Sequence, residues 1–199
     1  MRRSRPWAAH RVALLLVVMG FGLLAFSALR GPAWFQRLYY PLAFTEEISA
    51  SAMRHEVNPY LVAAVINAES GFDPERVSRV GAVGLMQVMP ATAEDLRARA
   101  IVSEEFVSGA SLADPATNIE YGTAYLRYLV ERYHEVEVAL AAYNAGLRNA
   151  DDWVAQGGDI RDAITFPETR HFVVRVVRAK ERYEEIYPDA FPWWSGGNQ

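Results

Sequence analysis

The sequence predicts an all-α domain, and three observations support this prediction. Two cap-then-proline signals, Asn58-Pro59 and Asp114-Pro115, mark helix starts, because Asn and Asp side chains accept first-turn N–H groups and proline suits the first turn. Apolar residues recur at helical spacing, as they do from residue 172 to 183. No sustained period-two alternation occurs, and no Asn-Gly or Asp-Gly pair joins two apolar runs, so β-hairpins are not expected.

The predicted helices follow these start and stop signals along the chain. Thr45 is expected to cap the first helix of the domain, with acidic residues in its first turn. Gly71 and Gly146 are expected to end helices, while Gly81 and Gly84 mark a loop or tight turn. The predicted helices cover residues 45–57, 59–70, 90–100, 115–133, 136–145, 151–156 and 167–187.

The N-terminus carries an apolar segment between charged flanks. Residues 12–29 are 18 uncharged, mostly apolar residues, which at about 1.5 Å per residue would span about 27 Å of bilayer. Four arginines precede this run, so the positive-inside rule places the N-terminus in the cytoplasm and the remainder outside. A signal anchor is favoured over a cleaved signal peptide, because the apolar run is long and Ser-Ala-Leu-Arg-Gly is a poor cleavage site.

The sequence therefore predicts four regions and a location. Residues 1–30 form a cytoplasmic stub and a transmembrane helix, 31–43 a linker, 44–187 the catalytic domain and 188–199 an irregular tail. Nothing in the sequence decides whether Trp193-Trp194 docks on the domain or contacts a membrane. We expect a single-pass protein of the bacterial cell membrane with an extracytoplasmic domain, or else a protein secreted after cleavage.

Composition excludes several classes of function. Without the five arginines of residues 2–30, the chain has 15 Lys and Arg and 24 Asp and Glu, which gives a formal charge of −9. This negative charge argues against binding nucleic acid. The absence of cysteine excludes a cysteine nucleophile, thiolate metal sites and disulfides. The four histidines are scattered and no His-x-x-x-His pattern occurs, so neither a metal nor a cofactor is expected.

Glu69 is the leading candidate for a catalytic residue. It ends an apolar helical run in which Val62, Val65 and Ile66 precede it by seven, four and three residues, so its carboxyl shares their buried face. Desolvation and the negative end of the helix dipole both raise the pKa of this carboxyl. An acid that is still protonated near neutral pH can protonate a leaving oxygen. The alternative is a solvated residue at a helix end.

Three sequence blocks follow one another in a recognisable order. They are Glu-Ser-Gly-Phe at 69–72 leading to Gly-Leu-Met-Gln at 84–87, Ala-Tyr-Asn-Ala-Gly at 142–146 and Phe-Pro-Glu-Thr-Arg at 166–170. Together they resemble the soluble lytic murein transglycosylase family, which has a lysozyme-like catalytic domain and is related to goose-type lysozyme. The resemblance covers about residues 40–187 and implies an all-α, lysozyme-like fold.

The resemblance also implies roles for individual residues. Glu69 matches the acid/base of the family, and Ser78 matches the serine that lies beside it. Met86 and Gln87 match positions that line the saccharide groove. Without the resemblance, Ser78 would be a loop cap, Gln87 a helix cap and Met86 a core residue.

Two further blocks complete the implied site. Tyr143 and Asn144 match groove residues, with the tyrosine hydroxyl near the glutamate, and Glu168 matches a residue that contacts substrate or shapes the far wall. The alternatives are helix packing for Tyr143, helix capping for Asn144 and a first-turn charge pair for Glu168. Two positions depart from the family pattern, which commonly has proline at Thr165 and tyrosine at Phe172.

The implied reaction uses one carboxyl group where most glycosidases use two. Glu69 would protonate the oxygen that bridges N-acetylmuramic acid and N-acetylglucosamine, then accept the proton of the muramic acid 6-hydroxyl. That hydroxyl closes on the anomeric carbon, and the 1,6-anhydro product forms without water. The partners implied are peptidoglycan glycan strands and, through the N-terminal helix, the membrane; protein partners are not indicated. The alternatives are a hydrolytic muramidase and a catalytically silent peptidoglycan-binding module.

Overall fold

A computed structural model describes residues 6–31, 33–106 and 111–194. Within them lie ten α-helices and one 3₁₀ turn, Glu104–Phe106. In chain order the helices are α1 Pro6–Arg30, α2 Ala33–Gln36, α3 Thr45–His55, α4 Pro59–Glu69, α5 Pro90–Ala98, α6 Pro115–Tyr133, α7 Val136–Ala145, α8 Leu147–Gln156, α9 Ile160–Ala163 and α10 Pro167–Ile186.

The chain divides into two compact units, Met1–Tyr40 and Pro41–Gln199. The first unit contains α1 and α2, and the large apolar side chains of α1 from Val12 to Phe26 are exposed. Judged over the described residues, none of the helices combines the length and apolar character that crossing a bilayer requires.

The core of the second unit is built around α4 and α6. Every residue of α4 from Pro59 to Ile66 is buried, and the helix packs most extensively against α10 and also against α3. Helix α6 packs against α3, α5 and α7, and its predicted core residues Ile119, Leu126 and Leu129 have no exposed surface. These two central helices therefore contact α3, α5, α7 and α10 directly.

A buried carboxylate joins α3 to α6. Glu120 has no exposed surface, and its oxygens accept hydrogen bonds from Ser51 Oγ at 2.9 Å and Arg54 Nε at 3.2 and 3.3 Å. His55 Nε2 lies 2.8 Å from the same carboxylate. Burial alone would raise the pKa of Glu120, but the hydrogen bonds and charges of these three neighbours hold it below its usual value.

The helix starts at Asn58 and Asp114 have the predicted geometry. Asn58 Oδ1 accepts the N–H groups of Tyr60 at 2.9 Å and Leu61 at 3.3 Å, and Asp114 accepts the N–H of Thr117 at 2.9 Å. The prediction of Thr45 as a cap was wrong. Helix α3 begins at Thr45 itself, after Phe44 in a left-handed conformation that makes no side-chain cap.

The region after α7 contains more helix than the sequence predicted. Helix α8 begins at Leu147 and not at residue 151, because Gly146, with φ of 88°, ends α7 and lets the next helix start at once. Helix α9 was not predicted at all. Its signal was Asp159, whose side chain accepts the N–H of Arg161 at 2.8 Å.

The segment after α4 is an irregular loop, as predicted. Val83 forms isolated antiparallel bridges with Val77 and with Val88. No extended β-strand occurs among the described residues. The N–H of Gly84 donates to the carbonyl of Arg76 at 2.8 Å, which folds the loop back on itself. We call residues 77–88 the bridge loop.

The tail after α10 docks on the domain as far as Trp194, the last residue described. Phe191 is 1% exposed and meets Tyr60 edge to face, with ring centroids 5.0 Å apart. Trp193 Nε1 donates to Ser49 Oγ at 2.6 Å on α3. Of the two roles left open for Trp193-Trp194, the structure therefore shows docking on the domain.

Candidate active site

An open cleft of about 580 Å³ lies where the C-terminal ends of α4 and α7 meet the start of α10. Most of its exposed lining is polar, as expected of a saccharide site and not of a lipid site. Its walls are formed by Ala68, Glu69, Arg76, Asn144, Glu168, His171, Phe172 and Arg175. Three of the predicted site residues, Glu69, Asn144 and Glu168, are thus brought together from three separate sequence blocks.

Glu69 is the last residue of α4 and projects from its buried end into the cleft. The pKa of its carboxyl is raised to about 7, chiefly by burial, and the negative charge of Glu168 acts in the same direction. The guanidinium groups of Arg175 and Arg76 act in the opposite direction and lower the pKa. The balance leaves a carboxyl that is half protonated near neutral pH, so it can both donate and accept a proton there.

Tyr143 lies close enough to Glu69 for the two groups to interact electrostatically. Burial, together with the negative charge of Glu69, raises the pKa of the Tyr143 phenol well above its usual value. Its hydroxyl donates to the carbonyl oxygen of Met86 at 2.8 Å. Because that bond uses the only hydroxyl proton, the Tyr143 oxygen faces its other neighbours as an acceptor.

Asn144 joins α7 to α10 at the cleft wall. Its Oδ1 accepts the hydroxyl of Thr169 at 2.8 Å, and Thr169 is buried. Among the described residues the Asn144 amide nitrogen meets no hydrogen-bond partner, which leaves its donors available at the cleft. The side chain therefore bonds across helices and does not cap α7.

Glu168 stands in the first turn of α10 on the exposed wall of the cleft. The described residues show no ion pair between Glu168 and Arg170, whose guanidinium instead donates to the carbonyl of Ile164 at 2.6 Å. The charge-pair alternative is therefore not what the structure shows. The carboxylate is free to meet a ligand, and its charge acts on Glu69.

Ser78 and Gln87 stabilise the bridge loop and do not line the cleft. Ser78 Oγ accepts the N–H of Ala82 at 2.9 Å, which is the loop-cap alternative. Gln87 has a φ of 49°, and its Nε2 donates to the carbonyls of Arg76 at 3.0 Å and Gly84 at 2.8 Å. Contact of these two side chains with substrate stays a prediction.

Met86 does not fit its predicted place in the groove. Its side chain has no exposed surface, and Thr123 Oγ1 lies 3.9 Å from its sulfur. A Cβ atom added to Gly122 would come within 2.4 Å of the same sulfur, so the side chain fills the space that this glycine leaves on α6. Met86 contributes through its backbone, by accepting the Tyr143 hydroxyl, and its side chain is a core residue.

The position of Thr165, where the family pattern commonly has proline, has a local explanation. Thr165 Oγ1 accepts the indole N–H of Trp153 at 3.2 Å, and the Trp153 ring meets Phe166 edge to face at 5.4 Å. These contacts bind α8 to the segment that leads into α10.

Comparison with known proteins decides the family. The model of the transglycosylase SLT domain matches residues 46–165, more than half of the chain. The chain belongs to the transglycosylase SLT domain family. It has the all-α, lysozyme-like fold of that family in its described part.

Two relatives illustrate the extent of the similarity. The transglycosylase of Enterobacteria phage PRD1 is 40% identical over 115 residues, which are 58% of this chain and 39% of the relative. The soluble lytic murein transglycosylase of Escherichia coli K12 is 31% identical over 157 residues, which are 75% of this chain and 24% of the relative. The chain thus spans only about a quarter to two fifths of these relatives.

Solved structures agree with this assignment. An inactive mutant of the lytic transglycosylase Slt from Pseudomonas aeruginosa matches with a TM-score of 0.68 and 28% identity over 87% of this chain and 29% of its own. A 70-kDa soluble lytic transglycosylase in complex with bulgecin A matches with a TM-score of 0.67 and 30% identity, over 82% of this chain and 28% of its own.

Asn118 is a supporting residue of this SLT domain that was not predicted from the sequence. It is fully buried on α6 and accepts the N–H of Met86 at 2.7 Å. Its Nδ2 donates to the carbonyls of Val83 at 2.7 Å and Leu112 at 2.8 Å. Asn118 therefore holds the bridge loop in the position where the Met86 carbonyl oxygen accepts the hydrogen bond of the Tyr143 hydroxyl. The available signal was an asparagine in the first turn of a helix, next to the core residue Ile119.

Three cleft residues on α10 of the SLT domain were also not predicted. His171, Phe172 and Arg175 follow Glu168 by three, four and seven residues, so they form one stripe of α10 that faces the cleft. That spacing was visible in the sequence once Glu168 was placed. Arg76, from the loop after α4, had no comparable signal. Among the described residues, no group of acids and histidines is arranged to hold a metal ion.

Proposed function

We propose that this SLT domain is a peptidoglycan lytic transglycosylase that cleaves the β-1,4 bond between N-acetylmuramic acid and N-acetylglucosamine. The observation that carries the proposal is Glu69, a carboxyl with a pKa of about 7 at the wall of an open, polar cleft. Membership of the family and likeness to lytic transglycosylase structures support it. The role of this activity is the remodelling of the bacterial cell wall.

The chemistry follows from a single carboxyl group with two successive roles. In the first step Glu69 donates its proton to the bridging oxygen, and the bond from that oxygen to the anomeric carbon of muramic acid breaks. The 2-acetamido oxygen of the same sugar stabilises the positive charge that develops. In the second step the 6-hydroxyl oxygen bonds to the anomeric carbon, and Glu69 takes the hydroxyl proton. Glu69 is thereby restored, and no water is consumed.

The neighbouring residues have supporting roles in this proposal. Tyr143, whose proton is held by the Met86 carbonyl, offers an acceptor to the protonated Glu69 or to a substrate hydroxyl. Asn144 offers amide donors to the hydroxyl or acetamido groups of a sugar, while Glu168 binds substrate from the opposite wall. Ser78 and Gln87 act by holding the bridge loop in shape, so that the Met86 carbonyl can accept the Tyr143 hydroxyl.

Turnover by site variants of the full-length chain tests these roles. Glu69→Gln, which keeps the shape of the side chain but cannot exchange the proton, should retain binding to purified peptidoglycan and release no soluble fragments. Tyr143→Phe should slow release, and Glu168→Gln should mainly weaken binding. Arg178→Gln, a change on α10 outside the cleft, serves as the control and should leave both readouts unchanged. Comparable fragment release by Glu69→Gln would refute the proposal.

We further propose that the domain is attached to the bacterial cell membrane by its N-terminal helix and works outside the cytoplasm. The supports are the 18 uncharged residues 12–29, the arginines before them and the exposed apolar side chains of α1. Full-length protein should sediment with membranes and resist alkaline extraction, whereas Leu16→Arg with Leu23→Arg should abolish this. Equal extraction of both proteins would contradict attachment by this helix.

A further inference from the structure

Two arginines line the cleft beside Glu69 and have no carboxylate partner. Arg76 comes from the loop after α4, and Arg175 comes from the cleft-facing stripe of α10. Both are exposed, and neither forms an ion pair with any residue in the described part of the chain. Two positive charges thus stand together in the cleft of a chain that is acidic as a whole, with 24 acidic residues against 20 basic ones.

Arg175 is held next to the catalytic carboxyl by a specific contact. Its Nη2 donates to the carbonyl of Ala68 at 2.9 Å, the residue just before Glu69. That bond uses one of five guanidinium donors and leaves the others directed to the cleft or to solvent. An arginine positioned by the backbone of a functional helix end is better ordered than a free surface side chain, so less entropy is lost when it binds a ligand.

The charges of the cleft favour an anion, in contrast to the acidic chain as a whole. Arg76 and Arg175 both act electrostatically on Glu69, so both lie near the reacting group. The opposing charges on the cleft walls are Glu168 and, in part, Glu69, which is half protonated near pH 7 and becomes neutral below it. The formal charge of the whole chain is −4. The positive charge is therefore local to the cleft that would hold the glycan strand.

We propose that Arg76 and Arg175 form a carboxylate-binding site for the substrate, beside the bond that Glu69 cleaves. This inference rests on the proposed function and specifies its substrate as a strand that carries carboxylate groups at the muramic acid. Arginine suits this role because its planar donors match a carboxylate. Two sources carry such a group: a peptide attached to the lactyl ether of muramic acid, or the free lactyl carboxylate of a peptide-free strand.

Equilibrium binding tests the site without requiring turnover. The full-length Glu69→Gln protein is titrated with four kinds of purified strand: peptide-bearing, peptide-free, and each of these with its carboxylates converted to neutral amides. In this background, Arg76→Gln and Arg175→Gln are compared with Arg79→Gln and Arg178→Gln, which are exposed arginines outside the cleft lining. Arg175→Lys tests whether charge alone suffices, and thermal unfolding verifies that each variant is folded.

We expect each cleft variant to bind carboxylate-bearing strands about tenfold more weakly, as the loss of a charged hydrogen bond predicts. Binding to the amidated strands and binding by the two control variants should change less than about twofold. A loss confined to peptide-bearing strands identifies the peptide as the source, and a loss confined to peptide-free strands identifies the lactyl group. Equal losses on amidated strands, or no loss on any strand, would overturn the inference.

Turnover by the wild-type chain is measured separately on the same strands. If no strand is cleaved while the affinities behave as expected, then the proposed function fails and the carboxylate site stands. If strands are cleaved and the affinities of the cleft variants are unchanged, the proposed function stands and the carboxylate site fails.

Discussion

The chemistry of Glu69 depends on opposing influences within one cleft. Its pKa of about 7 is the net of burial at the end of α4 and the charge of Glu168, which raise it, and of Arg175 and Arg76, which lower it. The sequence predicted the burial, because the apolar spacing before Glu69 places it on the buried helix face. The sequence could not predict the two arginines, since their effect depends on how α10 and the loop after α4 fold against each other.

The pH dependence of activity should report these influences with opposite signs. Because Glu69 must begin each cycle protonated, kcat/KM should fall as pH rises through about 7. Glu168→Gln removes a negative charge, lowers the pKa of Glu69 and should move this fall in kcat/KM to lower pH. Arg175→Gln removes a positive charge and should move it to higher pH. Arg178→Gln should not move it, and shifts in the same direction for the first two variants would contradict the assignment.

Protein stability should also record the unusual pKa of Glu69. The folded-state pKa lies above that of the unfolded chain, about 7 against 4.5, so folding binds a proton between these values and wild-type stability falls as pH rises through this range. Glu69→Gln lacks this dependence. Urea denaturation should therefore show the variant more stable by about 1–3 kcal/mol at pH 8 and nearly equal to wild type at pH 4. A variant less stable at pH 8 would contradict a raised pKa.

At the scale of elements, the helix starts were predictable and the loop contacts were not. Asn58-Pro59 and Asp114-Pro115 begin helices as predicted, because capping is a local interaction between a side chain and the next turn. The bridge loop depends on Asn118, more than 30 residues away in sequence, so its shape is a tertiary property. The same reason explains why Met86 was wrongly placed in the groove.

Asn118→Ala should strongly destabilise the fold. The change leaves the N–H of Met86 and the carbonyls of Val83 and Leu112 without their partner in a buried site. Unfolding in urea should show a loss of about 3 kcal/mol. Asn149→Ala, which removes one partly buried hydrogen bond to Ala145, is the matched control and should cost about 1 kcal/mol or less. Equal losses for the two variants would mean that Asn118 does not hold the loop.

At the scale of the whole molecule, the end of the described chain is part of the domain. The sequence after residue 187 contains proline, glycine and no helical periodicity, so its irregular structure was predictable but its docking was not. Phe191 packs on Tyr60 of α4, and the Tyr60 hydroxyl donates to the carbonyl of Tyr187 at 2.8 Å. The tail therefore supports the helix that ends in Glu69, from the side opposite its catalytic end.

Phe191→Ala should show how much this docking contributes. A buried phenylalanine replaced by alanine leaves a cavity and should reduce the free energy of unfolding by about 3–5 kcal/mol. Val80→Ala, at a side chain that is 76% exposed, should change it by about 0.5 kcal/mol or less. Urea denaturation of both variants measures the difference. A small effect at Phe191 would show that the tail lies on the domain without stabilising it.

In the proposed reaction one carboxyl group, Glu69, cleaves the strand by an internal ring closure and not by hydrolysis. The most direct test is cleavage of purified peptidoglycan by the full-length chain in ¹⁸O-labelled water, with the fragments weighed by mass spectrometry. We expect 1,6-anhydro-muramic acid ends without ¹⁸O, and no fragments from Glu69→Gln. Reducing ends that are one water heavier and carry ¹⁸O would contradict the account and identify a hydrolytic muramidase.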